Sequence, residues 1–230
     1  MSSLSKECFK QLYSSGTIME IPKGHCFTTE SYGTNSVYCL LDGICALIRY
    51  TKCGKEIIYY YFQEGDIIGC VRFHAVESKQ DQPIHHTVNY HVYAKTDCTI
   101  SRLSFNKVAE LMDSNIEIAR YFNFSLSNHY LSILNHLHSS KECDTTERLA
   151  HLLIELAIYK NGAYIVDKHF TYVEMAKYLG VHYVTVSRIM ANFKQLGLIT
   201  KSGHNTIIED IKTLTTMASP ANQGSENIIL

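Results

Sequence analysis

Residues Phe170 to Ile208 read FTYVEMAKYLGVHYVTVSRIMANFKQLGLITKSGHNTII, and this stretch decides the fold. Thr171 suits a helix N-cap, with Glu174 three positions on completing a capping-box pattern. The helix that follows is expected to turn Val173, Ala176 and Leu179 inward. Gly180 then permits a sharp turn, and Val181 plugs it. A second helix, from about His182 to Leu196, gathers Val186, Ile189, Met190 and Phe193 on one face. That leaves Tyr183, Val184, Ser187 and Arg188 pointing outward near its N-terminus. Two helices joined in this way make a helix-turn-helix, whose second helix is shaped to enter a DNA major groove. Leu198-Ile199, the turn Lys201-Ser202-Gly203-His204 and Thr206-Ile207-Ile208 add a small β-hairpin, or wing.

Charge agrees with this reading. Between residues 168 and 204 stand Lys168, Lys177, Arg188, Lys194 and Lys201 against Glu174 alone. The whole chain, with 21 basic and 22 acidic residues, is neutral, so a globally basic nucleic-acid binder is excluded and a locally basic one is not. A plain three-helix packing module would explain the apolar faces but not the coincidence of spacing, turn glycine and basic excess.

Composition bounds the rest. The 230 residues are 46% hydrophobic and 19% charged, enough for two small domains with proper cores. No apolar run approaches the ~20 residues of a membrane span, and the N-terminus shows no secretory h-region. The eight cysteines, at 8, 26, 39, 45, 53, 70, 98 and 143, include no C-x-x-C pair and no zinc or iron–sulfur spacing. They read as reduced, mostly structural thiols of a cytoplasmic protein, with a redox role for one or two as the alternative. No G-x-S-x-G, phosphate loop or H-E-x-x-H is present, so an enzyme is not expected.

Working outward from the helix-turn-helix, residues 17–104 read as strands. ICALIRY (44–50) runs into a Gly-bearing loop, and EIIYYYF (56–62) runs back. The turn Gln63–Asp66 follows, with further strands at 87–94 and 98–104. Short strands with regular turn signals point to an antiparallel barrel or roll. From Phe105 the period becomes helical. A long amphipathic helix from about Ile116 to Leu137 carries Ala119, Phe122, Leu126, Tyr130, Ile133 and Leu137 at helical spacing. One face can pack on the roll; Phe122, Leu126 and Ile133 are expected to pair with a second copy as a short coiled coil. Thr146 to Tyr159 reads as a further helix, stopped by Lys160-Asn161-Gly162. The fold class is thus α+β, with a sensor roll over 1–105, a linker and dimerisation helix over 106–140, a winged helix over 141–217 and a loose tail over 218–230.

Residues 146–208 resemble the winged-helix domain of the catabolite activator/fumarate–nitrate regulator (CRP/FNR) superfamily of bacterial transcription factors. The turns Asp42-Gly43, Gly54-Lys55-Glu56 and Gly65-Asp66-Ile67-Ile68-Gly69 are similar to those of its cyclic-nucleotide-binding-like β-roll, so the resemblance covers about 18–212. Val181 to Arg188 looks most like the recognition helix of the halophenol-sensing (CprK-type) regulators. The resemblance implies a homodimer that binds double-stranded DNA, contacts RNA polymerase if it activates, and does not involve a membrane. DNA would be met by Thr171, His182, Tyr183, Val184, Thr185, Ser187, Arg188 and Lys201. Tyr183 and Val184 replace the Arg and Glu with which the catabolite activator reads G·C pairs. The Val side chain suits a thymine methyl, so an A·T-rich inverted repeat is expected.

The departures bear on the effector. Where cyclic-nucleotide-binding members carry a ribose-holding Glu and a phosphate-holding Arg-Ser, this chain has Cys70 and Val88-Asn89. A cyclic phosphate needs a charge-assisted partner, which Val cannot supply. The purine-contacting positions of the long helix fall on apolar Ile133 and Leu134. Cyclic AMP is not expected. A small, largely apolar or aromatic effector would meet Tyr59, Tyr61, Cys70, Arg72, Val88, Asn89, Tyr90, Tyr130, Ile133 and Leu134. No cofactor or metal site is assigned. Haem or metal sensing through His74, His85, His86 and His91, in an enlarged polar loop over 74–86, is the alternative.

Overall fold

Strand β2 (Ser36–Asp42) carries an unbroken apolar run, VYCLL, and such a run is buried on both faces. In the computed structural model, which describes residues 3–27, 35–54, 56–77, 91–160 and 162–218, this is what happens. The chain divides into two compact units, Met1–Leu134 and Asn135–Leu230.

In the first unit β2 is a member of an antiparallel sheet ordered β1-β7-β2-β5, with β1 at Thr17–Ile21, β5 at Ile67–Ile68 and β7 at Cys98–Ser104. A second sheet, β4-β3-β6, contains β3 (Cys45–Tyr50), β4 (Glu56–Phe62) and β6 (His91–Ala94). Tyr38 and Leu40 of β2 face a core between the sheets, with Cys45, Phe62, Val92, Ala94, Cys98 and Ile100. Val37 and Cys39, on the other face, pack against helices. These are α1 (Ser3–Ser14), α2 (Cys70–Glu77), α3 (Phe105–Ser114) and the start of α4 (Ile116–Glu142). Phe73 of α2 sits 5.4 Å from Phe105 and 5.2 Å from Phe122, edge to face, at the centre of this second core.

Two expectations change here. His74, assigned to a polar loop, lies in α2, with its ring against Phe73 and Phe122. Phe122, assigned to a seam between copies, is fully buried, and Leu126 packs half-buried on the same core. Aromatic packing from α2 claims Phe122 before a second chain can.

The second unit opens with the end of α4. The helix α5 (Thr145–Leu156) starts at a full capping box, Asp144 with Glu147. It stops at Leu156 rather than Tyr159, because Ile158–Lys160 forms strand β8 and pairs with β9 (Ala163–Val166). Lys160 pairs with Ala163, so strand pairing takes the place of the helix stop expected here. After these come α6 (Tyr172–Leu179), α7 (Tyr183–Gln195), β10 (Ile199–Ser202), β11 (Asn205–Ile208) and α8 (Ile211–Ala218). The sheet order β10-β11-β9-β8 makes the wing one half of a four-stranded sheet. Met175, Ala176, Tyr178 and Leu179 are the buried positions of α6, whereas Val173, expected inside, is exposed. The tail expectation for 219–230 lies outside the described residues.

Candidate nucleic-acid interface and effector pocket

Gly180 ends α6 with φ of +69°, the left-handed region that favours glycine, and its N–H bonds back to Ala176 and Lys177 carbonyls. That reversal delivers α7. His182 is its N-cap, the Nδ1 accepting from Val184 N at 3.3 Å, with the ring 4.8 Å from that of Tyr183. Val186, Met190 and Phe193 are fully buried and Ile189 nearly so. This fixes the helix by one face and leaves Tyr183, Val184 and Arg188 on the other, exposed, with Thr185 and Ser187 half-buried beside them. Val184 is 54% exposed. Its side chain has no hydrogen-bonding atom, so any contact it makes from this turn is an apolar one. No acidic residue occupies that turn, so its free N–H groups and the helix dipole favour a phosphate. Among the described residues Arg188 makes no ion pair.

The other two residues expected at DNA, Thr171 and Lys201, are exposed and also make contacts within the domain. Thr171 is exposed, and its Oγ1 accepts from Glu174 N at 3.2 Å, as an N-cap should. Lys201 stands on the wing, but its ammonium is engaged there. It donates to Thr206 Oγ1 at 2.7 Å and lies 5.6 Å from the centre of the Tyr172 ring. Partial burial, with Lys194 nearby, lowers its pKa. Behind the helices, the His136 ring lies 4.3 Å from that of Tyr178, and burial, with Arg148 and His151, holds the imidazole near pKa 4. It is neutral at physiological pH.

On the roll, Tyr60 and Phe62 of β4 meet His129 of α4 at ring separations of 4.9 and 5.3 Å. His129 Nε2 is 3.3 Å from Asp66 Oδ1, whose other oxygen accepts from Gln63 N at 2.8 Å. Tyr121 donates to Gly65 O at 3.3 Å. The β4–β5 turn is thereby tied to α4 at two places. The three rings touch one another, with Phe62 and His129 buried, so they form a packed aromatic cluster beside the β4–β5 turn.

The expected pocket set is not what the structure gathers. A β-bulge between Leu47 and Ile48 sets Leu47 opposite Tyr60 and Ile48 opposite Ile58, so that Tyr59 is the extra residue of the bulge. Tyr61 is buried on the face opposite Tyr60 and Phe62. Cys70 is buried against the helices, its thiol donating to Ile67 O at 3.6 Å. Tyr130 and Leu134 are exposed and Ile133 is half-buried. Val88, Asn89 and Tyr90 lie outside the described residues, as do His85, His86 and the side chain of Arg72. His91 is 3.8 Å from Cys26 Sγ, and among the described residues no three potential ligands stand together as a metal site. Tyr60, Phe62, Asp66 and His129 went unread because strand alternation names a face only while the ladder is regular.

The apolar side chains that α4 leaves in water include Tyr130 and Leu137 of the expected stripe, but not the expected seam residues Phe122, Leu126 and Ile133. Phe124, Leu131, Leu134 and Leu137, flanked by Tyr130, are all exposed. Phe124 to Leu131 and Tyr130 to Leu137 are heptad spacings, and Leu131 to Leu134 is a step of three. No helix among the described residues is long and apolar enough to cross a membrane.

Comparison with known proteins locates both halves. Residues 18–115 match the cyclic nucleotide-binding domain family and residues 147–217 the Crp-like helix-turn-helix domain family. The chain is 24% identical over 176 residues to the cAMP-activated global transcriptional regulator CRP of Salmonella typhimurium, covering 75% of this chain and 80% of that one. It is 25% identical over 205 residues to electron transport regulator A of Shewanella oneidensis, covering 87% and 78%. In fold it is similar to FixK2 from Bradyrhizobium japonicum, with a TM-score of 0.70 at 17% identity over 90% of this chain and 98% of that one. It is also similar to CprK complexed with OCPA, with a TM-score of 0.58 at 18% identity over 91% and 92%.

Proposed function

Because this chain belongs to the CRP/FNR superfamily of DNA-binding transcription regulators, we propose that it acts in the cytoplasm as a homodimer on an A·T-rich inverted repeat, under control of a small effector that is not a cyclic nucleotide. The observation that carries the DNA reading is the exposed first turn of α7, with Tyr183 and Val184 outermost. Val184 has no hydrogen-bonding atom, so a thymine methyl is its natural partner, and Thr185 and Ser187 offer short hydroxyls to phosphate or thymine. This turn is of the halophenol-sensing type, which bears on the DNA sequence rather than on the ligand. Each arm of the repeat is read as a TTAAT-like element. Effector binding favours one orientation of the two recognition helices, whose spacing must match major grooves roughly 34 Å apart. If the outcome is activation, RNA polymerase is the further partner.

Selection of sites from random duplex tests this directly. Selected sites should be A·T-rich inverted repeats. Val184→Glu should weaken binding to that site by about 1–3 kcal/mol and move the preference toward a cytosine-bearing arm. A G·C-rich consensus, or one that Val184→Glu leaves unchanged, would put the wrong residues in the groove.

The effector reading rests on residue chemistry. Cys70, at the ribose-holding position of cyclic-nucleotide binders, turns its thiol to a backbone carbonyl inside the helix-side core. The rings that meet at α4 are Tyr60, Phe62 and His129, which suit an aromatic effector. Calorimetric titration with cyclic AMP and cyclic GMP to millimolar concentration should give no saturable heat. A saturable isotherm would overturn the reading.

A further inference from the structure

Two thiols play no part in DNA or effector binding as described, yet they lie together where one sheet of the roll passes into the other. Cys45 opens β3, directly after the Asp42–Ile44 turn, and Cys98 opens β7, directly after the Lys95–Asp97 connection. Their sulfurs are 3.7 Å apart although the residues are 53 positions apart in sequence. The surroundings of the two differ. Cys98 Sγ lies 3.3 Å from Thr96 O, 3.7 Å from Thr96 Oγ1 and 3.5 Å from Ile44 O, a polar collar at the rim of the inter-sheet core. Cys45 has the apolar side of that core around it.

Cys45 is fully buried, and Cys98 is 1% exposed. Gly43 sits on it with φ of +96°, and a Cβ at that position would fall 2.7 Å from Cys98 Sγ. Either thiol can donate in the contact between the two sulfurs, and hydrogen bonds to Cys45, Thr96 and Ile44 lower the Cys98 thiol against the opposing effect of burial. The contact with Cys98, together with burial, raises Cys45. Cys39 and Cys70, in the helix-side core, both have their thiols raised by burial.

We propose that Cys45 and Cys98 form an oxidisable dithiol site whose oxidant is a hydroperoxide. The Cys98 thiolate attacks the peroxide, the O–O bond breaks, and with hydrogen peroxide the leaving hydroxide takes up a proton as water. Cys98 is then a sulfenic acid. Cys45, deprotonated, attacks that sulfur and expels its oxygen as a second water. Two thiols and one peroxide become one disulfide and two waters, with two electrons passing from sulfur to the peroxide. Closing the sulfurs to about 2.05 Å joins β3 of one sheet to β7 of the other.

The reduced full-length protein is treated with hydrogen peroxide, blocked with iodoacetamide and digested with trypsin without reduction. Cleavage after Lys95 and Arg102 gives residues 96–102, in which Cys98 is the only cysteine. Cleavage after Lys23 and Arg49 gives residues 24–49, with Cys26, Cys39 and Cys45. These two peptides should appear joined and two hydrogens lighter than their sum, the link mapping to Cys45 on fragmentation and disappearing on reduction. Cys53→Ser, at an exposed cysteine, should leave the link in place, and Cys45→Ser should abolish it. The assignment needs no variant, since the wild-type fragmentation alone decides it. Recovery of peptide 96–102 alkylated throughout, overoxidised without a link, or joined through Cys26 or Cys39 would overturn the proposal.

Discussion

Leu131→Asp is expected to turn a dimer into a monomer. Leu131 is 53% exposed at the middle of the α4 stripe formed by Phe124, Leu131, Leu134 and Leu137. In a paired arrangement a residue at the centre of such a seam meets its own copy. Substitution by Asp would set two carboxylates face to face in apolar surroundings, an uncompensated burial that costs about 3–5 kcal/mol. Sedimentation velocity at micromolar concentration should then report a single species of monomer mass. DNA binding should fall further than the loss of any one contact allows. Two half-sites held by one dimer gain from effective concentration, and a monomer forfeits about 10²-fold or more of it. A dimer that persists unchanged in Leu131→Asp would remove this face of α4 from the interface.

Phe122→Ala is the counterpart on the opposite face. Phe122 is fully buried, edge to face with Phe73 and under the ring of His74. Truncation there removes a ring from the helix-side core and leaves a cavity that α2, α3 and β2 cannot all collapse to fill. The expected loss is about 3–5 kcal/mol of stability in the first unit. It is read as a lower urea midpoint with little change in slope. Self-association of the still-folded variant should be retained, which separates a core position from a seam position. A loss under about 1 kcal/mol would mean that the helix-side core does not depend on this ring.

The contrast between these residues shows how much the sequence discloses. Helical spacing placed Phe122 correctly on a buried face of a long helix, but periodicity has no way to say which neighbour covers it. The neighbour, α2, was itself missed. Its eight residues, CVRFHAVE, mix β-branched, aromatic and polar side chains with no clear apolar stripe. The helix-turn-helix was legible because each device in it is local: Thr171 as cap, Gly180 as turn and four apolar positions on α7. Strands β4 and β7 were legible for the same reason, through alternation between turn signals. The roll site was not. The bulge at Tyr59 shifts the register of β4, and a bulge depends on the partner strand, which lies outside any local window. The short strand β8 was absorbed into the preceding helix because IYK carries too few residues to show a period of two.

Strand β2 has a consequence for how a signal would travel. Its odd residues, Val37 and Cys39, belong to the core that holds α4, and its even residues, Tyr38 and Leu40, belong to the core between the sheets. The two chambers of the roll are thus separated by a party wall a single peptide plane thick. Close-packed interiors do not absorb displacement; they pass it on. A guest that rearranges Tyr38 on one side of the wall must move the backbone against Cys39 on the other, and Cys39 shares its chamber with Phe73 and Phe122. In this roll, what is felt in one room is heard in the next, and α4 is the listener.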